Sequence, residues 1–110
     1  MVHKLKTYPE PFKAVKIGER PFEIRKGHFE KGDILILQEF IPCSTCKGRG
    51  ENNIGDPCLA CLGSKGRYTG NSMKAEVTYV TGFRQPYNQW VLGIDLIETE
   101  HQIAGQKELL

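Results

Sequence analysis

Four cysteines, spaced Cys43-x2-Cys46-x11-Cys58-x2-Cys61, are all the cysteine in a chain of 110 residues. They fall in one glycine-rich stretch, residues 43–66, with glycines at 48, 50, 63 and 66 trailing the pairs. Two Cys-x-x-Cys pairs can deliver four thiolates to one tetrahedral Zn²⁺, because a two-residue gap lets a tight turn aim both sulfurs at one ion. The glycines permit positive-φ turns that bring backbone N–H groups close to sulfur. Four thiolates also suit an iron–sulfur cluster. Redox chemistry is a further alternative, but it needs a low-pKa thiol, usually at a helix N-terminus, and this loop composition offers no such helix. The expectation is one structural zinc held by Cys43, Cys46, Cys58 and Cys61, since a metal supplies folding free energy to a stretch that buries almost nothing. The opening "MVHKLKTYPEP" has no apolar leader-like run, and no run approaches the ~20 residues of a membrane span. A cytoplasmic location is therefore expected, with thiols kept reduced; two disulfides are the weaker reading.

Around this stretch the pattern is mostly that of strands. "HKLKTY" is a short strand candidate with Leu5 as its apolar member. "PEPFKAVKIG" reads as a short helix opened by prolines, with Phe12 and Val15 on one face and Gly18 at its end. "PFEIRK" alternates Phe22 and Ile24 against Glu23 and Arg25, the pattern of a half-buried strand with its apolar members inward. "GDILILQEFI" follows a turn at Gly32-Asp33, and "KAEVTYVTG" alternates Ala75, Val77 and Tyr79 against Glu76, Thr78 and Val80. "QWVLGIDLIE" carries a glycine inside a strand, a sign of a bulge or a close backbone approach. The tail after Glu98 is polar and expected to fray. About five strands with one early helix predict an α+β, mainly β fold: a small, partly closed mixed β-barrel. The length suits a single domain, residues 1–110, with the cysteine segment as an insertion at 42–70.

The cysteine repeats, Cys-x-x-Cys-x-Gly-x-Gly and then Cys-x-x-Cys-x-Gly-x-x-Gly, resemble the zinc-binding repeats of DnaJ-type chaperones. The second copy departs by one residue before its last glycine. The remainder resembles the ASCH superfamily of PUA-like β-barrels, a small bacterial and phage branch above all. The carrying motif is Gly-x-Lys-x-x-Glu-x-Arg, here "GERPFEIR": Gly18, Glu23 and Arg25 match, and Arg20 replaces the usual lysine. "KGDILIL" matches the strand start of that family. The resemblance implies a barrel of five or six strands with a cleft near the first helix, and binding of RNA or a modified nucleoside. Some small members hydrolyse acylated cytidine, with a lysine at the position of Arg20 and a threonine at that of Glu23. Arginine stays protonated and is a poor general base, which weighs against hydrolysis here.

The same residues make chemical sense as a binding site. Residues 1–32 carry eight Lys/Arg against four acids, although the whole chain is only +2. Arg20, Glu23 and Arg25 can read a base edge or grip phosphate, and Lys4 and Lys6 share a strand face that can add phosphate contacts. The opposing reading is a structural Glu23–Arg25 ion pair. The function expected is an RNA- or nucleotide-binding module with a structural zinc, the loop cations Lys47, Arg49, Lys65 and Arg67 enlarging the binding face. One alternative is an enzyme acting on a modified nucleoside with Glu23 as acid/base. Another is a protein-interaction module whose contact surface is the zinc loop. His3, His28 and His101 read as surface or capping groups, Trp90, Tyr79 and Met73 as core, and Tyr87 as a loop aromatic open to stacking.

Overall fold

The computed structural model describes residues 1–100, and the side chains of residues 1–97. Its elements are β1 (Val2–Thr7), α1 (Pro9–Lys16), β2 (Phe22–Lys26), β3 (Ile34–Pro42), β4 (Gly66–Thr81) and β5 (Gln89–Glu100). They form one five-stranded sheet in the order β1-β3-β4-β5-β2. β1 runs parallel to β3, and every other neighbouring pair is antiparallel. The sheet curls into a half-barrel, so the fold is mainly β with a single short helix. β5 runs on to Glu100, past the point where fraying was expected; the rest of the tail, with His101, lies outside the described residues.

The core lies between the inner face of the sheet and α1. Phe12 and Val15, three residues apart on the helix, meet Leu35 and Leu37 of β3, Met73, Ala75 and Val77 of β4, and Leu92 and Ile94 of β5. Leu5 and Trp90 pack against this cluster from its margins, and the Trp90 indole N–H donates to the Gly27 carbonyl at 2.8 Å. Burying a side chain of this size contributes about 1.5–3 kcal/mol. The helix has its prolines in the first turn, Glu10 there too, and Lys13 and Lys16 in the last, each charge placed to suit the helix dipole. It ends in a Schellman motif. Glu19 N–H bonds Ala14 O at 2.9 Å and Gly18 N–H bonds Val15 O at 3.1 Å, with Gly18 at φ +84°. This turn delivers Arg20 and Glu23 to the edge of the sheet.

The sheet has three register slips, at Lys74/Ala75, Val77/Tyr79 and Gln38/Phe40. Between Val77 and Tyr79 the register with β5 slips, so that Thr78 and Tyr79 together oppose Gly93. A β-carbon at Gly93 would lie 3.1 Å from Tyr79 Cβ, so glycine allows the close approach that the sequence signalled. The bulge reverses the phase: Val80 packs on the core, and Tyr79, expected inside, is exposed. Between Gln38 and Phe40 the register with β4 slips again. Glu39 ties off that bulge by accepting from Thr69 Oγ1 at 2.8 Å and Asn71 Nδ2 at 3.0 Å.

β2 is also reversed from expectation. Phe22 and Ile24 are exposed, as is Lys26, and Glu23 is almost wholly buried. The physical reason is position. β1 and β2 are the two edges of the half-barrel, and where they face each other the inner surface is polar, lined by Thr7, Glu23 and Arg25 rather than by the apolar core. Phe22 meanwhile lies under the Arg20 guanidinium, 4.7 Å from its ring centroid.

Candidate functional site

The cysteine segment is the connection from β3 to β4. Pairing runs up to its base, with Phe40 opposite Tyr68, Ile41 opposite Arg67 and Pro42 opposite Gly66. Beyond it the chain makes two knuckles of matching backbone form. Lys47 and Gly48 after the first pair, and Leu62 and Gly63 after the second, all have positive φ. Gly50, four residues past Cys46, is also positive, and Lys65, four residues past Cys61, takes the equivalent conformation at φ +72°. The extra residue of the second repeat is thus absorbed by a left-handed lysine.

The four sulfurs lie within 4.8 Å of one another, and none is in a disulfide. Cys43 Sγ is 3.9 Å from Cys58 Sγ, and Cys46 Sγ is 3.7 Å from Cys61 Sγ. A tetrahedral ion with metal–sulfur bonds of about 2.3 Å sets its sulfurs about 3.8 Å apart. The donor set therefore fits a metal ion. Cys46 and Cys58 are buried, and Gly50 N–H donates to Cys46 Sγ at 3.2 Å, the backbone-to-sulfur bond expected of these glycines. Burial pushes the Cys46 thiol up, but the Gly50 N–H and the thiols of Cys43, Cys61 and Cys58 outweigh it and bring it down to about 6. Burial likewise opposes ionisation of Cys61, yet backbone N–H groups of Lys65 and Gly63 lower it. The Cys61 N–H favours the Cys58 thiolate, but burial and the facing thiols leave Cys58 raised. A bound ion takes all four as thiolates and removes that conflict.

A second feature lies at the seam between β1 and β2. A cleft of about 410 Å³ is lined there by Lys6, Thr7, Tyr8, Arg20, Glu23 and Arg25, with Pro11 and Ile24 at its margin. Glu23, only 2% exposed, accepts from Arg20 NH1 at 2.5 Å and from Arg25 Nε at 3.0 Å. Arg25 also reaches across the seam, donating to Lys6 O at 3.0 Å and Thr7 Oγ1 at 3.1 Å. It thereby joins the two edge strands through a side chain. Arg20 uses NH1 alone, for Glu23 and the Phe22 carbonyl; its remaining nitrogens have no partner among the described residues. Two arginines thus clasp one carboxylate and engage both its oxygens, while Lys6 lines the same cleft.

Of the residues singled out in the sequence, Lys6, Arg20, Glu23 and Arg25 come together in this cleft. Lys4 is exposed on β1, on the face shared with Lys6, and does not line it. Lys6 Nζ sits 4.2 Å from the centroid of the Phe40 ring. Tyr8 was not singled out; its place just before the helix prolines is the signal that could have found it. Arg49 is spent inside the loop, on Cys46 O and Asn53 Oδ1. His3 is half-buried on β1, 2.9 Å from the buried Asp33 carboxylate and tilted at 44° against Phe29 with ring centroids 4.6 Å apart. His28 pairs with Glu30 at the surface, and Tyr87 is fully exposed in the β4–β5 loop. No helix among the described residues is long and apolar enough to cross a membrane.

Residues 2–94 match the family described as Domain of unknown function (DUF3850). No curated protein matches the chain.

Proposed function

We propose that this chain, which belongs to the DUF3850 family, is an RNA- or nucleotide-binding module with a structural zinc ion. The observation that carries this reading is the seam cleft, which Lys6, Arg20 and Arg25 line and where the two arginines clasp the buried carboxylate of Glu23. An excess of positive charge at an open cleft favours a polyanion. The arginine that keeps unused donors, Arg20, can form a fork to phosphate or a base edge. The likeness of "GERPFEIR" to the ASCH motif supports the same reading, that of one domain with the cysteine loop as its insertion. Zinc is the metal this reading assigns to Cys43, Cys46, Cys58 and Cys61. Two knuckles closing on four sulfurs with no open position suit a structural ion.

Titration of labelled single-stranded RNA at two salt concentrations tests the cleft. Arg20→Ala should weaken binding by the folded protein about tenfold or more, within the about 1–3 kcal/mol of a good bidentate contact, and lower the melting temperature less than Arg25→Ala does. Lys6→Ala should lower the salt slope by about one, with a smaller effect for Lys4→Ala. Unchanged affinity in Arg20→Ala would remove the cleft from RNA binding. Native mass measurement should find one zinc per chain, and iron in its place would correct the metal. A second reading, the loop as a protein contact surface, is favoured by Ile54, Leu59 and Leu62, whose side chains lie exposed on it. Partner capture that survives nuclease treatment is its test.

A further inference from the structure

We propose that the ligand of the seam cleft is a single-stranded oligonucleotide rather than a free nucleotide, and that it leaves the cleft over Lys6 and Phe40 to stack a base on Tyr68 beside the cysteine loop. This rests on the RNA-binding reading of the cleft and adds the size and course of the ligand. Lys6 both lines the cleft and lies over the Phe40 ring. Phe40 in turn holds Tyr68 edge-on, with centroids 4.9 Å apart and planes at 71°. The three residues belong to β1, β3 and β4, which are adjacent strands, so the track crosses two interstrand spacings, about 10 Å. The cleft, with Arg20 and Arg25, lies beyond Lys6 and lengthens the span further, so linked nucleotides can fill both ends of the track and one nucleotide can fill only one.

Tyr68 has the properties of a stacking platform. Phe40 beneath it is buried but stands outside the main core cluster, while Tyr68 is 53% exposed. Its backing is tightly fixed, since a β-carbon on Gly66 would come within 2.7 Å of the Phe40 ring. Aromatic faces take bases of any sequence, and basic side chains track the backbone between them. Lys65 and Arg67 precede Tyr68 where the loop rejoins the sheet, with Arg67 on the opposite face of β4. The acids of the loop, Glu51 and Asp56, lie instead about its far end, where Glu51 bridges Pro57. The wall of the cleft is continuous with the loop as well: a β-carbon on Gly48 would sit 3.2 Å from the Tyr8 hydroxyl and 3.4 Å from Pro42 Cβ.

The test measures binding of the metal-loaded full chain to uridine monophosphate, by competition, and to labelled uridylate and adenylate hexamers, by fluorescence anisotropy. Native protein, Tyr68→Ala and Tyr68→Phe are compared. The hexamers should bind at least about tenfold tighter than the monophosphate, and Tyr68→Ala should remove about that factor from both. The same variant should leave monophosphate binding unchanged, and Tyr68→Phe should restore hexamer binding. If Tyr68→Ala does not fold, Tyr68→Leu replaces it, keeping an apolar cover on Phe40 without a stacking face. Hexamers that bind no tighter than the monophosphate, or that ignore the loss of the ring, overturn the track and leave the cleft reading standing. If neither probe binds, the cleft reading and the track fall together.

Discussion

Lys65 stands in the left-handed turn that Gly50 fills in the first knuckle. That conformation costs a non-glycine residue about 1–2 kcal/mol. Glycine offsets part of this gain by its greater freedom in the unfolded chain. Lys65→Gly should therefore raise the stability of the metal-loaded protein by less than about 1 kcal/mol, read from a thermal melt. A loss would mean that the lysine stem packing over Gly50 matters more than its backbone. Gly50→Ala should act in the opposite sense and loosen the metal, because the new β-carbon meets Lys65 Cγ at 3.0 Å and the Gly63 carbonyl at 3.3 Å. Asp33 offers a separate test. It accepts from His3, from the Glu30 N–H and from the Met1 amine. These contacts, the His3 bond first, bring its pKa from 3.8 to about 2 against the opposing effect of burial. The unfolded chain then takes up the proton first. The stabilisation is complete above about pH 4 and drains away as the pH falls toward 2. Acid unfolding of Asp33→Asn should lack that component, and a profile parallel to native would show that the His3 and amine contacts do not stabilise the folded state.

At the scale of elements, the cysteine loop and the sheet divide the stabilising work between them. The core cluster uses no residue between 43 and 65, so replacing that stretch with a short Gly/Ser turn should leave a cooperative fold, since loop length carries little entropic cost. Chelation of the native protein should expose about four reactive thiols and disorder the loop while the core melts as before. Unfolding of the whole chain on chelation would show that the metal holds the sheet as well. The cysteine pattern was legible because spacing alone brings four sulfurs together. The helix was legible too, through its prolines, the Phe12–Val15 spacing and Gly18. β2 was not: alternation finds a strand, but it cannot tell which face meets the core when the strand is an edge beside a polar seam. Tyr79 was misread for a related reason, because one extra residue at Thr78 reverses the phase. The likeness to a barrel motif found Arg20, Glu23 and Arg25, whereas Tyr68 and Phe40 became neighbours only through pairing across the loop.

Across the whole molecule, the sheet stops short of closing, and the gap is spanned by Arg25. Removing it leaves Glu23 with one arginine and leaves Thr7 and the Lys6 carbonyl without its donors. Arg25→Ala should cost about 1–3 kcal/mol by the loss of these bonds, whereas Arg20→Ala, with its single engaged nitrogen, should cost less. Urea unfolding of the two variants compares them, and equal midpoints would mean that Arg25 does not fasten the seam. The same side chain bears on the behaviour of many copies together. Strands at open edges are templates for pairing between chains. β1 carries Lys4 and Lys6 on its exposed face, β2 is only five residues long, and Arg25 occupies backbone acceptor and hydroxyl between them. Without it, two unguarded edges in each molecule could recruit others, and a concentrated solution of Arg25→Ala should turn cloudy on warming where the native protein stays clear.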